Sequence, residues 1–267
     1  MKLGIGSYTY TWAVGVPGHA PAQRLTALGL CRRAVELGVS VVQCCENIPF
    51  PPDEWPEVRE FAREHGLHIE IGTRGVLGNH LEHAWTAADY FDSPFIRLVL
   101  DREGHEPSAE EAVQFLRPWV ERCRSRGRQI AIENHDRFPV KILAAMIENL
   151  GPDGIGVTLD TVNSFAAMEA PETVVQHLAP FTVSLHVKDF VIRRVPSMMG
   201  FVIEGCPAGE GRLDIPWLLD GLRAAGRDPN AILELWTPPG ATLEETIATE
   251  AAWAEKSIAT LRRHIPS

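Results

Sequence analysis

The sequence predicts an α/β chain closed into a (β/α)8 TIM barrel, with residues 1–267 as a single domain. Three observations carry this. Short β-type runs alternate eight times with longer amphipathic runs. The 267 residues suit eight such units, since barrels of this kind run to ~250 residues. A doubly wound open sheet, the competing topology, often carries a Gly-x-Gly-x-x-Gly turn after its first strand, and none is present. No linker, low-complexity tract or shift of composition divides the chain.

The elements follow in order. LGIGSYTY (3–10) precedes a helical run over 22–37 that stops at Gly38, and VSVVQCCE (39–46) precedes one over 54–65 that stops at Gly66. LHIEIGTR (67–74) leads to 79–91. FIRLVLD (95–101) leads to 108–126, which opens on Ser108 with Glu111 three residues on, a capping box, and closes at Gly127. QIAIEN (129–134) leads to 139–150, and GIGVTLD (154–160) to 171–178. FTVSLHVKD (181–189) is followed by a long loop and then by a helix over 214–225, with Asp214 as N-cap before Ile215-Pro216 and Gly226 after its end. AILELW (231–236) and a helix over 242–263 complete the series. Helices between successive strands require parallel pairing.

Composition narrows the function classes. Acids outnumber bases 35 to 25, a net charge of −10, and no Lys/Arg run exceeds two residues, which argues against nucleic acid as a partner. No apolar run reaches the ~18–20 residues of a membrane span, and the N-terminus lacks the continuous apolar stretch of a signal peptide. Five cysteines (Cys31, Cys44, Cys45, Cys123, Cys206) form no CxxC pair and fit free thiols in a cytoplasmic protein.

Strand parity then points to a site. In the sixth strand Ile155, Val157 and Leu159 alternate with Gly156, Thr158 and Asp160, and in the seventh Val183, Leu185 and Val187 alternate with Thr182, Ser184 and His186. The aliphatic set belongs under the helices and the small and polar set inside the barrel. Glu133, Asp160, His186 and Glu234 fall at the C-terminal ends of the fifth to eighth strands, on the inward parity, and barrel active sites are built at that rim. Three carboxylates this close cannot all stay ionised without a cation. Oxygen donors with one nitrogen suit a single divalent metal such as Mn, Co, Mg or Zn.

At these residues the chain resembles a known group. IAIENHDRF (130–138), VTLDTVNSF (157–165), LHVKDF (185–190), GEGRLD (209–214) and ILELW (232–236) look like the xylose-isomerase-like TIM-barrel superfamily of sugar isomerases, ketose 3-epimerases, inosose dehydratases and endonuclease IV nucleases. The resemblance implies Glu133, Asp160, His186 and Glu234 as metal ligands and Glu133 and Glu234 as an acid–base pair on the two faces of the substrate carbon. Many members carry a His three residues after the strand-six Asp, a substrate or second-metal ligand. Here that position is Asn163, able to hydrogen-bond a sugar hydroxyl. The nucleases need a later Asp-x-His pair, absent between 187 and 234.

Other candidates lie nearby. Lys188 shares the parity of His186 and could polarise a substrate oxygen or neutralise an enolate, or simply pair with a carboxylate. The epimerases place an Arg beyond the metal His, which Arg193 or Arg194 would match. His135 could line the rim. Glu46 and Arg74 could touch substrate or pair with each other. Trp12, His19 and Phe50 could wall a sugar. The loop 190–212 reads as a lid or as a dimer contact in a homo-oligomer, and the Gly-x-Gly at 209–211 as a phosphate cradle or a plain turn. The function expected is a divalent-metal-dependent isomerase or epimerase working on a small keto-sugar or polyol derivative through an enediolate. The alternative is a metal-dependent lyase on the same scaffold. A non-catalytic metal- or sugar-binding module is the reading from another class.

Overall fold

A computed structural model describes residues 1–77 and 79–265; Gly78, Pro266 and Ser267, within the expected domain span, lie outside the described residues. The first half of the barrel is built from β1 (Leu3–Gly6), a 3-10 turn (Ser7–Tyr10), a short α1 (Thr11–Val14), α2 (Ala27–Leu37), β2 (Val41–Cys44), α3 (Trp55–His65), β3 (His68–Arg74), α4 (His80–Tyr90), β4 (Phe95–Val99) and α5 (Ala109–Arg126). The second half holds β5 (Gln129–Glu133), α6 (Val140–Leu150), β6 (Ile155–Asp160), α7 (Pro171–Leu178), β7 (Thr182–Val187), β8 (Asp189–Arg194), β9 (Phe201–Cys206), α8 (Ile215–Ala224), β10 (Asn230–Leu233) and α9 (Leu243–Leu261). Eight strands close into a parallel barrel in the order β1-β10-β7-β6-β5-β4-β3-β2. The chain is therefore a (β/α)8 TIM barrel. No described helix is long and apolar enough to cross a membrane.

The expected caps are in place. Ser108 Oγ accepts from Glu111 N at 3.2 Å while Glu111 Oε2 accepts from Ser108 N at 2.8 Å. Asp214 Oδ1 accepts from Trp217 N at 3.0 Å. Gly38 and Gly127 end α2 and α5 at φ 65° and 63°, where a Cβ would be strained. Ile5, Ile96, Ile130, Ile132, Ile155 and Leu159 are fully buried with Leu30, Leu81, Leu116, Leu143 and Ile147 of the helices, so the apolar core sits between sheet and helix ring. All five cysteines are buried and unpaired.

Two features differ from expectation. The segment 190–212 is not one loop: β8 and β9 pair as an antiparallel hairpin from Asp189↔Cys206 to Arg194↔Phe201. Its exposed apolar residues, Ile192, Met198, Met199, Phe201 and Val202, hid the strand pattern, because no buried face marks it. In β7 the parity breaks at its start. The register shifts opposite Val157/Thr158. Thr182 Oγ1 then donates to Leu178 O at the end of α7, and Val183 crowds Gly156, where a Cβ would come within 2.8 Å of it. From Ser184 on the expected parity holds, which carries His186 inward.

The loop after β1 is tied down by the neighbouring helix α9. Glu250 on α9 is fully buried, and its carboxylate accepts from Trp12 N at 3.0 Å and Ala13 N at 3.2 Å, two orphan donors at the start of α1. Burial dominates and pushes the Glu250 carboxyl from 4.5 to about 7, against the pull of these N–H groups. The native state thus holds this proton more tightly than the unfolded chain. Its contribution to stability is complete below pH 4.5 and is lost as pH rises through about 7. Urea unfolding across that window is expected to show wild type losing about 3 kcal/mol relative to Glu250→Gln, which cannot titrate. Parallel pH profiles for the two proteins would contradict this.

Candidate metal centre at the C-terminal rim

The ends of β5, β6, β7 and β10 converge as the parity requires. Glu133, Asp160, His186 and Glu234 are all buried. Donor atoms of Glu133, Asp160 and His186 lie within 4.8 Å of one another. Glu234 adjoins this group through His186, whose Nδ1 is 3.0 Å from Glu234 Oε1, 3.3 Å from Glu133 Oε2 and 3.9 Å from Asp160 Oδ2. These contacts do not have hydrogen-bond geometry. His186 Nδ1 and Glu234 Oε1 are buried polar atoms with no hydrogen-bond partner, and they face one another, while Asp160 Oδ2 has only the ammonium of Lys188 beside it.

Two cations hold the carboxylates together. Lys188 Nζ lies 2.8 Å from Asp160 Oδ2 and 2.8 Å from Glu234 Oε2. Arg97, buried on β4, donates to Glu133 Oε2 through Nε and to Glu46 Oε2 through Nη1 at 3.0 Å. Burial alone would raise the Glu133 carboxyl, but the cations Arg97 and Lys188 hold it well below the usual range. Burial would likewise lower Lys188, and the carboxylates of Asp160, Glu234 and Glu133 overcome it and raise it. With His186 neutral, four carboxylates (Glu46, Glu133, Asp160, Glu234) face two permanent cations. The deficit of two positive charges, and the two unpartnered atoms His186 Nδ1 and Glu234 Oε1, fit one divalent ion with Glu133, Asp160, His186 and Glu234 around it.

The other sequence candidates divide. Asn163 joins the centre: its Nδ2 donates to Glu133 Oε1 at 2.7 Å, and its Oδ1 accepts from Lys188 Nζ at 3.2 Å. His135 lines a cavity of about 280 Å³ with Asn163, Phe165, Lys188, Ile203 and Trp236, its Nδ1 2.5 Å from Asp136 Oδ1. Trp12 lines a second cavity of about 320 Å³ with Tyr8, Lys188, Glu234 and Trp236, and His19 packs edge-on against it. Arg193 is not brought to the centre: it sits exposed on β8, paired with Glu204 across the hairpin at 3.2 Å, because hairpin pairing carries it beyond the rim. Arg194 stays on the same hairpin, donating to Met198 O at 3.3 Å. Glu46 and Arg74 do not pair with each other. Glu46 takes Arg97 and Tyr8 Oη, while Arg74 takes Asp101 at 3.6 Å. Phe50 stacks on Phe91 and Trp55. The amides of Gly209 and Gly211 are already taken by Asp189 Oδ2 at 2.8 and 3.0 Å, so the Gly-x-Gly is a turn and not a free phosphate cradle.

Sequence reasoning missed Arg97, Gln43 and Glu70. Gln43 and Glu70 are cross-strand partners on β2 and β3, and the amide of Gln43 reaches His186 Nε2 at 2.7 Å. Burial raises the Glu70 carboxyl, while hydrogen bonds from Asn230 and Gln43 oppose this. The signal was present: a charged or amide side chain within each strand, flanked by apolar residues and on the inward parity.

Comparison with known proteins places the chain. A family model described as xylose isomerase-like TIM barrel matches residues 102–264. The chain belongs to the xylose isomerase-like TIM barrel family. It is 30% identical over 261 residues to the 3-oxo-isoapionate decarboxylase of Pectobacterium atrosepticum, covering 97% of this chain and 94% of that protein. The fold also matches D-psicose 3-epimerase with D-tagatose from Clostridium cellulolyticum, at TM-score 0.69 and 14% identity over 99% of both chains. It matches a xylose isomerase-like TIM barrel protein from Mycobacterium smegmatis in complex with magnesium at TM-score 0.65, with 14% identity over 97% of each chain.

Metal analysis of the purified protein is expected to find about one divalent ion per chain, and His186→Ala to lower that content while the barrel stays folded. Arg97→Met leaves Glu133 and Glu46 without their counter-charge. In metal-free buffer it should cost roughly 3–5 kcal/mol in urea unfolding, the range for breaking a buried pair from one side.

Proposed function

We propose that this chain is a divalent-metal-dependent lyase that decarboxylates a small 3-oxo sugar acid. Support comes from the relative of that activity across nearly the whole chain and from one feature of the site: each rim glutamate is bound to a permanent cation, Glu133 to Arg97 and Glu234 to Lys188. Two-sided epimerisation asks two carboxylates to take and return protons, which works best with acid–base groups whose pKa lies near the working pH. Glu133, clamped by Arg97, is better suited to staying charged. Decarboxylation asks for less. The bond from the carboxyl carbon to the carbon beside the ketone breaks, its electron pair forms the enediolate, carbon dioxide leaves, and one proton returns to that carbon.

Glu133, Asp160, His186 and Glu234 would hold the metal, with Mn, Co, Mg and Zn all compatible with these donors. When bound, the ion supplies Lewis-acid stabilisation of developing oxygen charge. The protein's own groups do the rest. Lys188 Nζ faces both cavities and offers positive charge to the substrate's oxygens. Glu234, which borders one cavity with its Oε2 2.8 Å from Lys188 Nζ, would return the single proton, while Lys188 keeps its charge. Asn163, between Glu133 and Lys188, holds both in position. Trp12, Trp236 and Phe165 wall the cavities and keep water from the enediolate.

The second reading is a ketose isomerase or epimerase, favoured by Glu133 and Glu234 both bordering the same centre. The two readings separate in one experiment. Metal-loaded protein is incubated in D₂O with a 3-oxo sugar acid and, separately, with ketoses. Release of carbon dioxide with one solvent deuterium at the carbon that lost it supports the lyase. Ketose interconversion without carbon dioxide from the acid would replace it by the second reading. Lys188→Met is expected to lower turnover roughly 10²–10⁴-fold, the span of acid–base contributions, with metal content retained.

A further inference from the structure

The metal ligand His186 is held by a file of hydrogen bonds that runs through the barrel interior to its opposite end. Lys2 N donates to Asn230 Oδ1 at 3.1 Å. Asn230 Nδ2 donates to Glu70 Oε1 at 2.8 Å. Gln43 Nε2 donates to Glu70 Oε2 at 3.0 Å. Gln43 Oε1 lies 2.7 Å from His186 Nε2. Gln43, Glu70 and His186 are all buried, so solvent does not compete for the Glu70–Gln43 and Gln43–His186 bonds, while the Lys2 end of the file lies at the surface.

The direction of this file is fixed at its start. A backbone N–H can only donate, so the oxygen of Asn230 must face Lys2 and its amide must face Glu70. A carboxylate only accepts, so Glu70 turns the Gln43 amide nitrogen toward itself and the Gln43 oxygen toward His186. An oxygen there needs a hydrogen on Nε2. The imidazole is thereby held as the Nε2–H tautomer, with the Nδ1 lone pair aimed at Glu133 and Glu234, where Nδ1 has no hydrogen-bond partner. We propose that Glu70 and Gln43 are positioning residues that set the His186 tautomer and so prepare its Nδ1 for a metal. The proposal rests on the metal-centre reading, and the two can fail separately.

The test uses the polarity of the file. In Glu70→Gln the new amide still accepts from Asn230 but now presents N–H to Gln43. Gln43 turns over, its own N–H faces His186 Nε2, and the hydrogen moves to Nδ1. In the exchanged double variant Gln43→Glu/Glu70→Gln, the amide at 70 donates to the carboxylate at 43, which accepts from Nε2–H, and the original direction returns. The double variant conserves charge, Glu70→Gln alone removes one negative charge, and side-chain size is nearly conserved throughout.

Two measurements read the outcome. Imidazole ¹⁵N shifts of the metal-free proteins report the tautomer, and titration with Mn²⁺ reports Kd. Wild type and the double variant are expected as Nε2–H, and Glu70→Gln as Nδ1–H. Mn²⁺ Kd is expected to weaken about 10–100-fold in Glu70→Gln, as for other partners behind a metal ligand, and to recover in the double variant. An Nδ1–H tautomer in wild type, or Glu70→Gln with the wild-type tautomer and Kd, overturns the proposal. So does a double variant that folds and binds as weakly as the single one. Should Glu70→Gln fail to fold, the wild-type tautomer and the double variant still decide. A wild type that is Nε2–H but binds no divalent ion sinks the metal centre and leaves the tautomer assignment standing.

Discussion

The structure turns on negative charge concentrated where water is scarce. Glu133, Asp160 and Glu234 sit at neighbouring strand ends of one rim, each nearly or fully buried. Like charges ~4 Å apart repel by about 4 kcal/mol at an effective dielectric near 20, so the arrangement stands only with cations among them. Arg97 reaches across from β4 and Lys188 from the end of β7. Each was selected by the same geometry: an inward position on a strand whose other face is apolar. Asn163 then bridges the two halves, touching Glu133 with its amide and Lys188 with its oxygen. A small amide fits between a carboxylate and an ammonium because it can donate to one and accept from the other.

Much of this was legible in the sequence. Eight alternating units gave the barrel, and the period-2 rule gave the inward set, because parity is a property of the backbone and is little disturbed by neighbours. The same rule fails at Thr182 and Val183, where a register shift inserts an irregularity that no composition marks. The hairpin was illegible for a related reason: its residues alternate against no core, so Met198, Met199 and Phe201 read as a loop. Partners were harder than positions. Glu46 and Arg74 were candidates for each other, yet Glu46 takes Arg97 from two strands away. Strand spacing and side-chain reach decide such choices, and neither is written in one strand. Arg193 was a candidate for the substrate, and hairpin pairing sets it on β8 against Glu204 instead of against the charged centre.

The fold leaves the reaction open, as expected of a scaffold that hosts many chemistries. What narrows it is how firmly each rim carboxylate is bound. A glutamate fixed by a buried guanidinium is a dependable ligand and a poor shuttle for protons. One held by an ammonium at the mouth of two cavities is nearer to exchange with a substrate. The asymmetry between Glu133 and Glu234 is thus one of partners, a buried guanidinium for one and an ammonium for the other, and the proposed division of roles rests on it.

Asp189 shows how the hairpin is joined to the barrel. One buried carboxylate accepts from Phe190 N at 2.7 Å, Gly209 N at 2.8 Å, and Gly211 N and Leu213 N each at 3.0 Å. Both ends of the hairpin segment are thereby stitched to a single atom pair. Everything between them, the tip included, hangs from a closed clasp. Ile203 of this segment lines one of the cavities, while Met198 and Met199 at its tip are exposed. In architectural terms this is a cassette: a hairpin joined at both ends to one carboxylate, set apart from the charged centre beneath it.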